Sequence, residues 1–201
     1  MLPLQLCLLS GGASRRMGRD KALLPHPEGG CWLERTLNLL ARLDAPITLF
    51  SHHPSHLQLA TAWAAGPAAQ PISLIAEPAP RQGPLLALQR LSVIHADQRL
   101  LLCPVDMPWL NLACLETLLT EAAIAPARIH LAHDGERRQP LLGVYPGAAA
   151  TRLSLLQAVE AGERRLQTWL TGQACREVRL DPGALRNINR PEELQIAPPS
   201  R

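Results

Sequence analysis

The chain alternates two kinds of segment, and that alternation constrains its fold more than any other feature. Short apolar runs ended by turn residues fall at 4–9, 47–50, 72–75, 100–103, 128–132 and 141–145, with a late one near 177–180. Their apolar character on both sides predicts strands buried on two faces rather than one. Between them, segments at 32–43, 54–65, 84–95, 112–123 and 149–161 carry apolar residues at helical spacing. Leu33, Leu37 and Leu40, and later Leu112, Leu115 and Leu119, make the clearest core-facing stripes. Strand followed by helix, four times over, is the pattern of a mostly parallel sheet with helices on both faces, and the less regular end follows it. A length of 201 residues buries one substantial core. The expectation is a single three-layer α/β domain over residues 1–195, with 196–201 as a disordered tail.

Composition removes several classes of function. The net charge of +3 is mild, and the arginines of the C-terminal half are scattered rather than massed into a basic stripe. With one Tyr and one Phe, the chain also lacks the aromatic platforms on which single-stranded bases stack. Nucleic acid is not an expected partner. Five cysteines, at 7, 31, 103, 114 and 175, show no paired spacing of the kind a zinc site needs, and read as reduced, mostly buried thiols. The opening apolar run has no basic residue before it and leads directly into Gly11-Gly12, so it reads as a buried first strand and not a signal sequence. No apolar run reaches the roughly 20 residues of a membrane span. A cytoplasmic protein without membrane contact is expected.

The densest chemistry lies between Leu8 and Pro25. The first strand ends in Ser10-Gly11-Gly12, where side-chain-free backbone can approach a phosphate closely and turn its N–H groups toward it. Arg15, Arg16, Arg19 and Lys21 then supply cations from the same loop. Fixed donors with several cations are what recognition of a triphosphate, and stabilisation of a departing pyrophosphate, require. The spacing fits neither the phosphate loop that ends in Gly-Lys-Ser/Thr nor the Gly-x-Gly-x-x-Gly dinucleotide fingerprint. For two glycines alone a plain turn is the simpler account; the cation cluster directly after a hydrophobic strand weighs against it.

A second constellation follows the fourth run. In Cys103-Pro104-Val105-Asp106-Met107-Pro108, an apolar strand stops and presents a carboxylate just beyond its C-terminal end, the edge at which open α/β sheets bind ligands. Read alone, Asp106 is either a turn former beside proline or a ligand for a hard cation such as Mg²⁺, which takes one or two carboxylates together with substrate phosphates.

These residues resemble the molybdenum cofactor guanylyltransferases. The family signature Leu-x-Gly-Gly-x-x-x-Arg-Met-Gly-x-Asp-Lys is matched by Leu9, Gly11, Gly12, Arg16, Met17, Gly18, Asp20 and Lys21, and its Cys-Pro-x-Asp-x-Pro segment by Cys103, Pro104, Asp106 and Pro108. The resemblance implies a Rossmann-like nucleotidyltransferase fold. It also implies transfer of GMP from GTP to the terminal phosphate of molybdenum-molybdopterin, with Mg²⁺ held by Asp106. On that reading Lys21, Arg16 and Asp106 are catalytic, while Leu9, Ser10, Gly11 and Gly12 hold the nucleotide with Lys21 and Asp106. Transient contact with molybdenum cofactor insertion proteins is a further implied partnership. Cytidylyl and sugar-phosphate enzymes share part of the pattern, and a non-catalytic nucleotide or cofactor carrier is the alternative from another class.

Weaker segments extend the resemblance. Gly83-Pro84-Leu85 matches a family loop over the nucleotide, although Gly-Pro also simply starts a helix. Where the family commonly has an Asp and an Asn that touch the nucleotide, this chain has Glu77 and Ser51. The run His133-Asp134-Gly135-Glu136-Arg137-Arg138 reads from composition as a solvated hairpin; in the family it lies toward the pterin, which makes Asp134 and Arg137 acceptor candidates. Asn187 and Asn189 match the two asparagines of Asn-x-Asn-x-Pro-Glu-Glu-Leu, although a helix cap explains Asn189 by itself. The clustered His52, His53 and His56 read as a polar loop and helix start.

Overall fold

A computed structural model describes residues 1–12, 17–66, 70–79, 83–190 and 192–193. Among these residues seven strands form one sheet in the order β3-β2-β1-β4-β6-β5-β7: β1 Leu4–Leu9, β2 Ile47–Ser51, β3 Ile72–Ala76, β4 Arg99–Pro104, β5 Ile129–His133, β6 Arg138–Tyr145 and β7 Cys175–Arg179. Strand β1 pairs in parallel with β2 and β4, as β2 does with β3 and β5 with β7. Only β6 runs against its neighbours β4 and β5. The four residues between β5 and β6 permit a hairpin, whereas a parallel pairing needs a crossover of a dozen or more.

Among the described residues six helices cover the sheet: α1 Trp32–Ala41, α2 Pro54–Ala64, α3 Pro84–Ile94, α4 Leu112–Ile124, α5 Ala149–Glu160 and α6 Leu166–Leu170. Their starts are chemically marked. The Cys31 amide donates to Glu34 Oε2 at 2.8 Å at the head of α1, proline occupies the first turn of α2 and α3, and the Cys114 amide donates to the Asn111 side chain at 3.0 Å at the head of α4. Successive side chains of a strand point to opposite faces. Accordingly Leu6 and Leu8 of β1 join Leu33, Leu37, Leu115 and Leu118 in the core under α1 and α4. Cys7, between them, joins Leu88, Leu91, Leu102, Tyr145 and Trp169 under α3, α5 and α6. The three-layer, mostly parallel architecture expected from the sequence is the one observed.

Boundaries differ where pairing overrides pattern. β6 begins at Arg138 instead of 141, because Arg138 and Gln139 pair with His133 and Ala132 despite their polarity, beyond a register shift at Leu131/Ala132. β7 begins at Cys175, two residues before the expected start. Helix α6 was not expected: five residues are too few to show a helical period, yet Leu166, Trp169 and Leu170 close one end of the core. All five cysteines are free thiols, four buried and Cys175 half-buried. Among the described residues no helix is long and apolar enough to cross a membrane. The expected tail at 196–201 lies outside the described residues.

The topology fixes where a ligand can sit. From β1 the chain moves to β2 on one side, and after β3 it crosses to β4 on the other, so β1 and β4 flank the point at which the strand order reverses. Ligands of open α/β sheets bind in the crevice beyond the strand ends at such a point. Leu9 stands beside Pro104 in the ladder, so the glycine turn and Asp106 leave the sheet side by side.

Candidate active site

Beyond the ends of β1 and β4 lies a hollow of about 110 Å³ lined by Leu9, Ser10, Gly12, Asp20, Lys21, Val105, Asp106 and Leu141. Gly11 is a glycine for a steric reason: a Cβ there would stand 2.7 Å from Glu77 Oε2 and 3.4 Å from His52 Nδ1. Among the described residues a Cβ on Gly12 would meet nothing within 4 Å, so its missing side chain leaves open space for a ligand. The loop then turns through Gly18 at φ +70°, and buried Met17 anchors it against Leu24, Trp32 and Ile188. The Ala22 amide donates to Asp20 Oδ1 at 3.0 Å, which sets the direction of Lys21.

Lys21 is the hub. Its Nζ donates to Asn189 Oδ1 at 2.6 Å and stands 3.3 Å from Asp106 Oδ2, with only 13% of the lysine side chain and 27% of the aspartate exposed. The backbone reinforces this convergence. The Val105 amide donates to Leu9 O at 3.3 Å, and the Ile188 amide donates to Asp106 O at 3.0 Å. Three segments distant in sequence, at 20–21, 105–106 and 187–189, therefore meet before any ligand is considered.

A second hollow, of about 730 Å³, is lined by Asp134, Arg137, Arg179, Arg186 and Asn187 among others. Asp134 accepts from the Glu136 and Arg137 amides at 3.0 and 2.9 Å and from the Gln139 side chain at 2.8 Å. Burial opposes its ionisation, but those donors and the Arg137 charge prevail and hold its carboxyl down to about 2. Gln139 in turn accepts from Asn187 Nδ2 at 2.9 Å. The two asparagines thus face different ways, Asn189 to Lys21 and Asn187 to the larger hollow.

The remaining sequence candidates are distributed unevenly. Ser51 is fully buried, and its hydroxyl is occupied by the Ser10 carbonyl, the His53 amide and His56. Glu77 lies beneath Gly11, 3.5 Å from His52. Gly83, at φ +96°, sits against the turn that contains Arg164: a Cβ there would be 3.1 Å from the Arg164 carbonyl oxygen. Arg16 lies outside the described residues. Sequence reasoning missed Gln139, Arg179, Arg186 and, above all, His56. The last stands in the expected helix start, but is 1% exposed and bonded to Asp20. Only its position in the first turn of a helix beginning at Pro54 hinted that it faces the strand ends.

Residues 6–178 match the family model of the MobA-like NTP transferase domain. The chain belongs to this family. It is 36% identical over 200 residues to a probable molybdenum cofactor guanylyltransferase of Rhodopirellula baltica, covering 96% of this chain and 90% of that protein. A probable molybdenum cofactor guanylyltransferase of Mycobacterium tuberculosis H37Rv is 34% identical over 193 residues, covering 94% of this chain and 90% of the relative. In structure the chain is similar to the molybdopterin-guanine dinucleotide biosynthesis protein A of Archaeoglobus fulgidus, with a TM-score of 0.74, 17% identity and 95% of each chain covered.

Proposed function

We propose that this MobA-like nucleotidyltransferase transfers GMP from GTP to the terminal phosphate of molybdenum-molybdopterin, forming molybdopterin guanine dinucleotide and releasing pyrophosphate. The observation that carries this reading is Lys21, whose ammonium sits between Asp106 on the nucleotide side and Asn189 on the acceptor side. A phosphate monoester is already nucleophilic at neutral pH, so the site needs no strong base. One acceptor oxygen forms a bond to the α-phosphorus of GTP as the bond from that phosphorus to the pyrophosphate oxygen breaks. Catalysis then rests on alignment and on neutralising charge.

The glycine turn, with Leu9 and Ser10, supplies backbone donors to the nucleotide, and Lys21 offsets triphosphate charge together with Arg16. Ser51, Glu77 and Gly83 shape the nucleotide side, the first two from behind the glycine turn. Asp134, Arg137, Asn187 and Asn189 receive the acceptor. Among the described residues no three His, Cys, Asp or Glu side chains converge on a metal-sized space. That suits an ion that takes one protein carboxylate and completes its shell from phosphates and water. Asp106 is the residue that would hold Mg²⁺, which when bound neutralises charge on the α-phosphate and the leaving pyrophosphate. The catalytic domain spans 1–195, and the enzyme works in the cytoplasm, in transient contact with molybdenum cofactor insertion proteins.

The test is pyrophosphate release by purified protein with Mg²⁺, molybdenum-molybdopterin and each nucleoside triphosphate in turn. GTP is expected to be the productive donor; release from CTP alone would move the assignment to a cytidylyl enzyme, and GTP binding without release would indicate a carrier. Lys21→Ala and Asp106→Ala should each lower turnover by roughly 10²–10³-fold with little loss of fold. Near-normal turnover in Asp106→Ala with Mg²⁺ would remove the metal assignment.

A further inference from the structure

The segment that carries Lys21 is fixed unequally on its two sides. Toward the C-terminus the Leu24 amide donates to Lys21 O at 3.1 Å and the Leu33 amide to Ala22 O at 2.9 Å, so this flank is tied to the head of α1 by backbone bonds. Toward the N-terminus, among the described residues, Asp20 ties the segment to the strand ends by a side-chain contact, with Oδ2 2.7 Å from His56 Nε2. His56 stands in the first turn of α2, is 1% exposed, and turns its other nitrogen to Ser10 Oγ at 3.1 Å and Ser51 Oγ at 3.0 Å.

The partners specify a tautomer. Asp20 Oδ2 takes a hydrogen from Nε2, Nδ1 accepts from the Ser10 hydroxyl, and the Ser51 hydroxyl donates to Ser10 O at 3.3 Å while accepting from the His53 amide at 3.2 Å. Neutral imidazole, the form that burial favours, then satisfies Asp20 and Ser10, while Ser51 Oγ packs 3.0 Å from Nδ1 with its hydrogen already given to Ser10 O. One ring thereby joins four segments: the end of β1, the end of β2, the first turn of α2 and the cation loop.

We propose that His56 is a positioning residue that sets the register of the Asp20-Lys21 segment on the glycine turn, and so places the Lys21 ammonium for phosphoryl transfer. The kinetic part of this proposal rests on the nucleotidyl transfer assigned above. A misplacement of about 1 Å in a positioning group can lower a rate roughly 10²-fold without disturbing the fold, which is the scale at issue here.

Two near-isosteric variants separate positioning from packing. Gln in place of His56 keeps an amide donor near the Nε2 position, toward Asp20; Asn keeps a polar group near Nδ1, toward the serines, and gives up Asp20. If His56 serves only as core filler, both variants lose activity in proportion to their lost stability. On the proposal, His56→Gln retains kcat/KM within about threefold, whereas His56→Asn loses roughly 10–10²-fold per folded molecule. In His56→Asn, hydrogen exchange at the Ala22 amide also accelerates while exchange in β1 is unchanged. Equal activities in the two variants with unchanged Ala22 exchange would overturn it. Should both variants fold poorly, the cycle of Asp20→Ala with His56→Ala decides: non-additive effects support the link, and additive effects refute it. Absence of pyrophosphate release by the unmutated protein would sink the assigned reaction instead, leaving the exchange comparison as an independent reading of the loop.

Discussion

The two adjacent glycines of the phosphate turn should respond differently to the same substitution. In Gly11→Ala the new methyl would stand 2.7 Å from Glu77 Oε2, well inside van der Waals contact, so that oxygen must retreat by roughly half an ångström or more. Glu77 is the flexible partner, but it is not free to swing: its side chain is 9% exposed and lies 3.5 Å from His52. Relief by side-chain movement rather than backbone shift puts the cost at the low end of overpacking, about 1 kcal/mol. For a domain of this size that is a Tm lower by about 2–4 °C. Gly12→Ala meets nothing within 4 Å among the described residues and should melt within about 1 °C of the parent, yet its methyl fills the space a phosphate would approach. The expected pattern is therefore crossed. Gly11→Ala loses stability and regains it when Glu77 is shortened to Asp; Gly12→Ala keeps stability and loses roughly 10-fold or more in kcat/KM for GTP. Thermal unfolding and pyrophosphate release measured on the two variants read both effects. Equal melting of the two, or full activity in Gly12→Ala, would refute the steric account of the turn.

Two further outcomes follow from the same geometry. Gln139→Leu removes the link between Asp134 and Asn187, each of which then loses a partner worth about 1–2 kcal/mol; KM for the pterin acceptor should rise several-fold while KM for GTP stays put, and the reverse pattern would place Gln139 on the nucleotide side. Stability should fall on mild acidification, because burial pushes the pKa of His26, His56, His95 and His130 below the ordinary 6.5. The unfolded chain binds protons near 6.5 that the folded chain refuses, so their contribution is complete above that pH and declines as pH falls below it. The depressed Asp134 behaves oppositely in origin, adding stability above about pH 4 that is lost toward about 2. A Tm unchanged between pH 7.5 and 5.5 would contradict the histidine assignment.

The parallel core was legible because its strands are apolar on both faces and its helices open with proline or a polar cap, signals that lie within single segments. Gly11, Lys21 and Asp106 were legible for the same reason: the strand ends, and the chemistry follows within a few residues. Helix α6 and the first residues of β6 were not, since one is too short for a period and the other is polar sequence recruited by its partner strand. His56 is the instructive omission. Beside His52 and His53 it reads as one of a polar loop and helix start, and only its place in the first helical turn separates it from its neighbours. Its importance comes from Asp20, 36 residues earlier, and from two serines at the ends of different strands. The reason Gly11 is a glycine is likewise held by Glu77, beyond a third strand.

The two hollows are coupled by their construction. Asn187 and Asn189 flank Ile188, whose amide is bound to the carbonyl of Asp106 and whose side chain is buried with Met17 and Trp32. Any shift of these asparagines must therefore move the carboxylate segment or break that bond, and any shift of the cation loop strains the same small cluster through Met17. Groups that must bring two anions to within bonding distance gain most from being fixed before the substrates arrive, since the cost of ordering them is then met by folding and not by the reaction. Lys21, bonded to Asn189 and standing beside Asp106, is fixed in this way by the fold itself.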